Sequence, residues 1–133
     1  MRKTFKFNKI IRDRLSLIMS QNGVDVAVKS DISHHDLIKY FKEKILEEAN
    51  EVKDATNKEE MIDELADLVE VVHGFARALE IEFTTIESKR QEKLDYKGGF
   101  NHAVIVDSVT LDSEHQWAKY YSKNPKKYPE IVN

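Results

Sequence analysis

The 133-residue chain contains no cysteine, which excludes a disulfide framework and any thiolate metal site. A cytoplasmic location is the expectation that follows. Its two prolines, Pro125 and Pro129, fall near the C-terminus and exclude regular structure there. Glycine is scarce, and Gly23 and the Gly98-Gly99 pair read as breaks between segments. Nowhere do about 18 apolar residues run together, as a membrane span requires. Lys6, Lys9, Arg12 and Arg14 interrupt the N-terminal segment, so it lacks the apolar core of a signal peptide. The chain is expected to be soluble, with no membrane partner. Its net charge of −3 comes from 21 basic and 24 acidic residues, a balance that does not announce nucleic-acid binding. There is no internal repeat and no low-complexity tract. The length suits one domain, small enough that oligomerisation would help it bury apolar surface.

Helix-forming residues and acids dominate what is present. From Asp36 to about Thr56, Ile38, Phe41, Ile45, Ala49 and Val52 recur at the three-and-four spacing of one helix face, with Ser33 placed to cap the start. A second helix is predicted from Lys58 to Leu79, with Met61, Leu65, Val69, Val72, Ala76 and Leu79 turned inward. Asn57 and Glu60 there have N-cap and capping-box spacing. Glu48 and Glu51 lie about 60° apart on the shoulder of the first helix, with Lys44 between them. Glu64 and Asp67 flank the stripe of the second. The short link through Thr56 and Asn57 predicts an antiparallel hairpin, which sets the two acidic shoulders opposite one another. A compact carboxylate quartet repels itself and needs a cation or shared protons to persist. Magnesium is the ion we expect there.

The flanks are less regular. Ile10, Ile11, Leu15 and Ile18 suggest a helix that stops at Asn22-Gly23. Val24–Val28 and Ala103–Val106 alternate like short strands, and their pairing into a two-stranded ribbon is expected. Thr84-x-x-Glu87 reads as a capping box opening a fourth helix to about Leu94, which carries Lys89, Arg90 and Lys93. Ser113-x-x-Gln116 reads as the start of a last short helix bearing Trp117, Tyr120 and Tyr121.

Two stretches carry a resemblance. Lys44-Ile-Leu-Glu-Glu-Ala-Asn-Glu51 followed by Glu64-Leu-Ala-Asp67 resembles the EExxE...ExxD signature of the MazG-like all-α nucleoside triphosphate pyrophosphohydrolases. Asn8-Lys-Ile-Ile-Arg-Asp-Arg14 and Lys97-Gly-Gly-Phe100 further resemble a branch of house-cleaning pyrophosphatases, although Lys97 stands where that branch often has arginine. The match spans residues 8 to about 106. It implies an all-α, MazG-like helical bundle built on the hairpin; the small β ribbon and a C-terminal tail are expected beside it from the residues themselves. The expected domain is residues 1–110, with 111–133 as its helical or irregular tail. Related proteins pack as dimers or higher oligomers, so a homodimer is expected.

The implied activity is hydrolysis of a nucleoside triphosphate, canonical or not, between its α and β phosphates, giving a monophosphate and pyrophosphate. Such a reaction needs charge neutralised on several phosphate oxygens at once. Magnesium, or manganese in its place, suits that need through oxygen ligands shared between protein and phosphates. Glu48, Glu51, Glu64 and Asp67 are the expected ligands. The general base is one of these carboxylates or Glu47. Lys9, Arg12, Arg14, Lys44, Arg90, Lys93 and Lys97 are the candidates to grip the substrate, and Gly98-Gly99 would let backbone amides approach phosphate or a lid close. The alternatives are a phosphoribosyl-ATP pyrophosphohydrolase and, outside enzymes, a helical interaction module that kept the scaffold without turnover.

Other constellations weigh less. Glu70-x-x-His73 has the spacing of di-iron carboxylate bundles but occurs once, and His73 borders the apolar face like a packed core residue. His34 and His35 read as an exposed pair. Trp117, Tyr120 and Tyr121 followed by Lys123, Lys126 and Lys127 mix aromatic faces with positive charge, which fits base stacking or, more simply, docking of the tail.

Overall fold

Five helices run along residues 1–132, the part of the chain that the computed structural model describes: α1 (Leu15–Gln21), α2 (His34–Asp54), α3 (Lys58–Ala78), α4 (Phe83–Lys97) and α5 (Gln116–Ser122). The chain divides into two compact units, Met1–Tyr96 and a second that begins at Lys97. No described helix is long and apolar enough to cross a membrane.

Both long helices begin where a side chain takes over a free backbone amide. Ser33 Oγ accepts from the Asp36 N–H at 3.1 Å at the start of α2, and Asn57 Oδ1 accepts from the Glu60 N–H at 2.9 Å at the start of α3. Glu60 reaches back to the N–H and hydroxyl of Thr56, at 2.9 and 3.2 Å, one residue before the cap itself. These bonds, the backbone one first, hold the Glu60 carboxyl below its ordinary range. Because only Ala55–Asn57 separate them, α2 and α3 turn back on one another and pack as an antiparallel hairpin. Phe41 lies flat against Phe75 between them, with ring centroids 5.5 Å apart and planes 3° from parallel. Gly74 makes room for that ring, since a Cβ there would stand 3.1 Å from Phe41 Cε1.

On α2 the face that hydrophobicity predicts is covered except at Ala49, and on α3 Val72 and Ala76 are covered as expected while the first half of the helix turns its acids toward the seam. Among the described residues, only Ala76 and Glu48 are buried outright. On α2 the packed stripe runs through Phe41, Lys44, Ile45, Glu48 and Val52, while Ala49 is exposed. On α3 it runs through Glu64, Asp67, Leu68, Val71 and Phe75, and Met61, Leu65, Val69 and Leu79, expected inside, stay largely uncovered. The physical reason is that two helices offer each other one seam apiece, and here the polar shoulders share that seam. Among the described helices, none but α2 and α3 pack on one another, and the remaining apolar stripe stays exposed.

Helix α1 ends as the Asn22-Gly23 pair predicts. Gly23, at φ +80°, donates to Ser20 O while Val24 N–H reaches Met19 O, which is a Schellman stop. The predicted start was too early, because Ile10 and Ile11 lie ahead of the helix. Helix α3 ends in the same motif with Glu80 in the left-handed position, at φ +58°. Apart from Phe83, whose ring stacks on His73 with centroids 3.8 Å apart, α4 packs along no other described helix. It begins one residue before Thr84, and the Glu87 carboxylate takes Arg90.

The expected β ribbon does not form: among the described residues there is no strand. Val24, Val28, Val104, Ile105 and Val106 are all exposed. Alternation marks a strand only where one face is covered and a ladder partner is at hand, and a lone two-stranded ribbon is marginal in water even then. The unit beginning at Lys97 holds α5, capped by His115 Nδ1 accepting from the Trp117 N–H at 3.1 Å instead of by Ser113. Tyr120, Tyr121 and Tyr128 cluster there with centroids 4.7 to 5.9 Å apart.

Candidate metal centre and phosphate cleft

The hairpin brings Glu48 and Glu51 of α2 to Glu64 and Asp67 of α3. One carboxylate oxygen from each lies within 4.8 Å of the others. The ExxE and ExxD spacings do this because residues three apart share a helix face, and the antiparallel crossing sets the two pairs level. At 4.8 Å two carboxylate charges repel by about 3 kcal/mol at an effective dielectric of about 20, before solvent screening. Four such groups on one seam are a strained arrangement for the chain by itself.

Two atoms make the strain specific. Glu48 Oε2 and Glu64 Oε2 are buried with no hydrogen-bond partner. Buried acceptors are ordinarily satisfied, and an unsatisfied charged one is costly. The Glu48 side chain keeps 7% of its exposure. Burial pushes its carboxyl above the ordinary range, hydrogen bonding with Glu51 adds to the rise, and Lys44, 3.2 Å away, opposes it. An all-oxygen set of carboxylates, two with a buried oxygen unpaired, fits a hard divalent cation in donor chemistry.

Basic side chains surround the cluster. Arg12 Nη2 donates to Asp67 Oδ1 at 2.7 Å, and Lys9 Nζ donates to Glu47 Oε1 at 2.7 Å. Lys44 sits 3.4 Å from the other oxygen of Glu47. Hydrogen bonding to these carboxylates raises both Arg12 and Lys9 above their ordinary values. Partial burial acts to raise Glu47, but the bonds from Lys9 and Lys44 outweigh it and hold that carboxyl low. Between the N-terminal segment and the hairpin runs a cleft of about 650 Å³, with Arg14, Lys44, Glu48 and Asp67 in its lining.

Not every expected residue gathers there. Arg90 forks onto Glu87 on its own helix, at 2.6 to 3.0 Å, and Lys93 is exposed on α4. Lys97 closes α4 where the second unit begins. Glu70 and His73 are engaged apart from each other, Glu70 by Arg77 at 3.2 Å and His73 by Phe83. Sequence reading passed over Gly74 and Arg77, which line the cleft with Phe41. A glycine inside an otherwise strong helix pattern is the signal that would have marked this close approach.

Residues 18–93, more than half of the chain, match the family described as phosphoribosyl-ATP pyrophosphohydrolase. The chain belongs to that family. Membership places it in the MazG-like all-α superfamily and among the pyrophosphohydrolases of nucleotide-like substrates. The matched segment contains the whole α2–α3 hairpin and all four clustered acids. No curated protein and no solved structure matches the chain.

Proposed function

We propose that the chain is a magnesium-dependent pyrophosphohydrolase, which cleaves a triphosphate-bearing nucleotide between its α and β phosphates and releases pyrophosphate. The single observation that supports this most is the convergence of four carboxylates, two of which keep a buried oxygen without a hydrogen-bond partner. Glu48, Glu51, Glu64 and Asp67 would hold the ion, with manganese able to replace magnesium. When bound, it supplies positive charge to the phosphates and acidity to an attacking water.

The chain's own residues do the rest. Lys9, Arg12, Arg14 and Lys44 line the cleft and present cations to the phosphate oxygens. Glu47, kept ionised and low by Lys9 and Lys44, is a weak proton acceptor, so its part is to position those two cations. The exposed stripe of Leu46, Met61, Ile62, Leu65 and Val69 supports pairing of two hairpins into a four-helix core, and a homodimer is the assembly we propose.

Two substrates share this chemistry. A nucleoside triphosphate, standard or damaged, is one; phosphoribosyl-ATP, which the description of the matched family names, is the other. Pyrophosphate release from a panel of both, with magnesium and with chelator, decides between them. Release from none of the panel by folded protein would leave the hairpin as an interaction module and overturn the proposal.

A further inference from the structure

Residues 7–14 form one wall of the cleft without helical structure of their own, and they are fastened at both ends. At one end Asn8, at φ +47°, offers its side-chain oxygen to Lys29 Nζ and to the Tyr40 hydroxyl. At the other, Leu15 N–H bonds Arg12 O and the chain enters α1. Between the two anchors Lys9 and Arg12 reach across to carboxylates of the hairpin. Arg12 donates to Asp67 through Nη2, and its side chain remains 59% exposed.

We propose that Arg12 is a resident counter-ion for the acidic cluster, which holds Asp67 in the metal-free chain and passes to a phosphate oxygen when a metal-bound triphosphate enters. The inference rests on reading the four acids as a metal centre. A guanidinium suits carboxylate and phosphate equally well, because its planar fork matches either pair of oxygens. A bare divalent ion brings only positive charge and must displace Arg12 or bind beside it. A metal–triphosphate unit brings the phosphates that give Arg12 its next partner. The site therefore disfavours the lone ion and favours the pair. The fixed ends of the segment keep the exchange a side-chain movement, with no need to rebuild the backbone.

Calorimetric titration of the full chain tests this, with Mn²⁺ alone as one probe and magnesium tripolyphosphate as the other. Arg12→Gln is expected to bind Mn²⁺ about three- to fivefold more tightly than the parent, the scale of an exposed ion pair, and to bind magnesium tripolyphosphate more weakly. Arg12→Lys, which keeps the charge, is expected to leave Mn²⁺ binding near the parent value. Unchanged or weaker Mn²⁺ binding by Arg12→Gln, or unchanged tripolyphosphate binding, overturns the exchange. Glu48→Gln separates the two layers. If the parent binds Mn²⁺ and Glu48→Gln does not, the metal centre stands whatever Arg12 does. If the two bind Mn²⁺ alike, or neither binds it, the metal reading falls and the Arg12 proposal falls with it.

Discussion

Glu48 on α2 and Asp67 on α3 each present a carboxylate oxygen to one small volume, the two within 4.8 Å, although they come from different helices. Like charges meet there only because the hairpin forces them to. Glu48→Gln removes one charge and leaves the shape unchanged, so we expect opposite effects on stability and activity. The metal-free protein should gain about 1 to 2 kcal/mol in a denaturant titration. Pyrophosphate release should fall by about two orders of magnitude or more.

The pH dependence has a definite sign. Glu48 is raised, by burial first, so it holds its proton more tightly folded than unfolded. Its contribution to stability is present at low pH and is lost as the pH climbs from the ordinary glutamate range through the raised value. Glu47 runs the other way: held low against its burial by Lys9 and Lys44, it contributes stability above the ordinary range that is lost as pH falls through its lowered value. Thermal melts in chelator should show the Glu48 loss, and Glu48→Gln should remove it. Metal competes with that proton, so Mn²⁺ binding should tighten with pH across the same window.

Gly74→Ala sets two local effects against each other. Alanine gains about 1 kcal/mol of helix propensity, while its Cβ presses 3.1 Å from Phe41 Cε1, and overpacking of this kind costs about 1 to 3 kcal/mol. Phe41 is also held against Phe75, so we expect a net loss. The double variant Gly74→Ala with Phe41→Leu should recover part of it. Additive losses in that double-mutant cycle would show that the ring is not what the glycine accommodates.

The uncovered stripe predicts an assembly. Leu65 and Val69 keep 49% and 54% of their exposure on one face of α3. Sedimentation equilibrium should return twice the 15.5 kDa of one chain, and Leu65→Glu should shift the protein to a monomer. A parent chain that sediments as a monomer at every concentration would contradict this.

The hairpin was legible in the sequence because caps and spacing are local. Ser33 and Asn57 act where their positions predict, Glu60 reaches one residue further back than a capping box requires, and the ExxE and ExxD pairs meet because the link between the helices is short. Which face packs was less legible. Periodicity finds the apolar stripe, but it does not carry the covering of the polar shoulder in a single chain, so it puts Leu65 inside and Glu48 only at the edge. The ribbon failed for a related reason. Val24–Val28 and Ala103–Val106 have strand alternation, but pairing is a long-range property that local pattern does not carry. Arg90 is a candidate phosphate contact from its charge alone, and the structure shows it paired with Glu87, one turn earlier.

The central claim is that the four acids share one divalent ion. The most direct measurement is the anomalous scattering of Mn²⁺ in crystals of the protein. A peak is expected about 2.0 to 2.3 Å from at least one oxygen of α2, on Glu48 or Glu51, and one of α3, on Glu64 or Asp67. A peak elsewhere, or none while the four side chains keep their places, would contradict it.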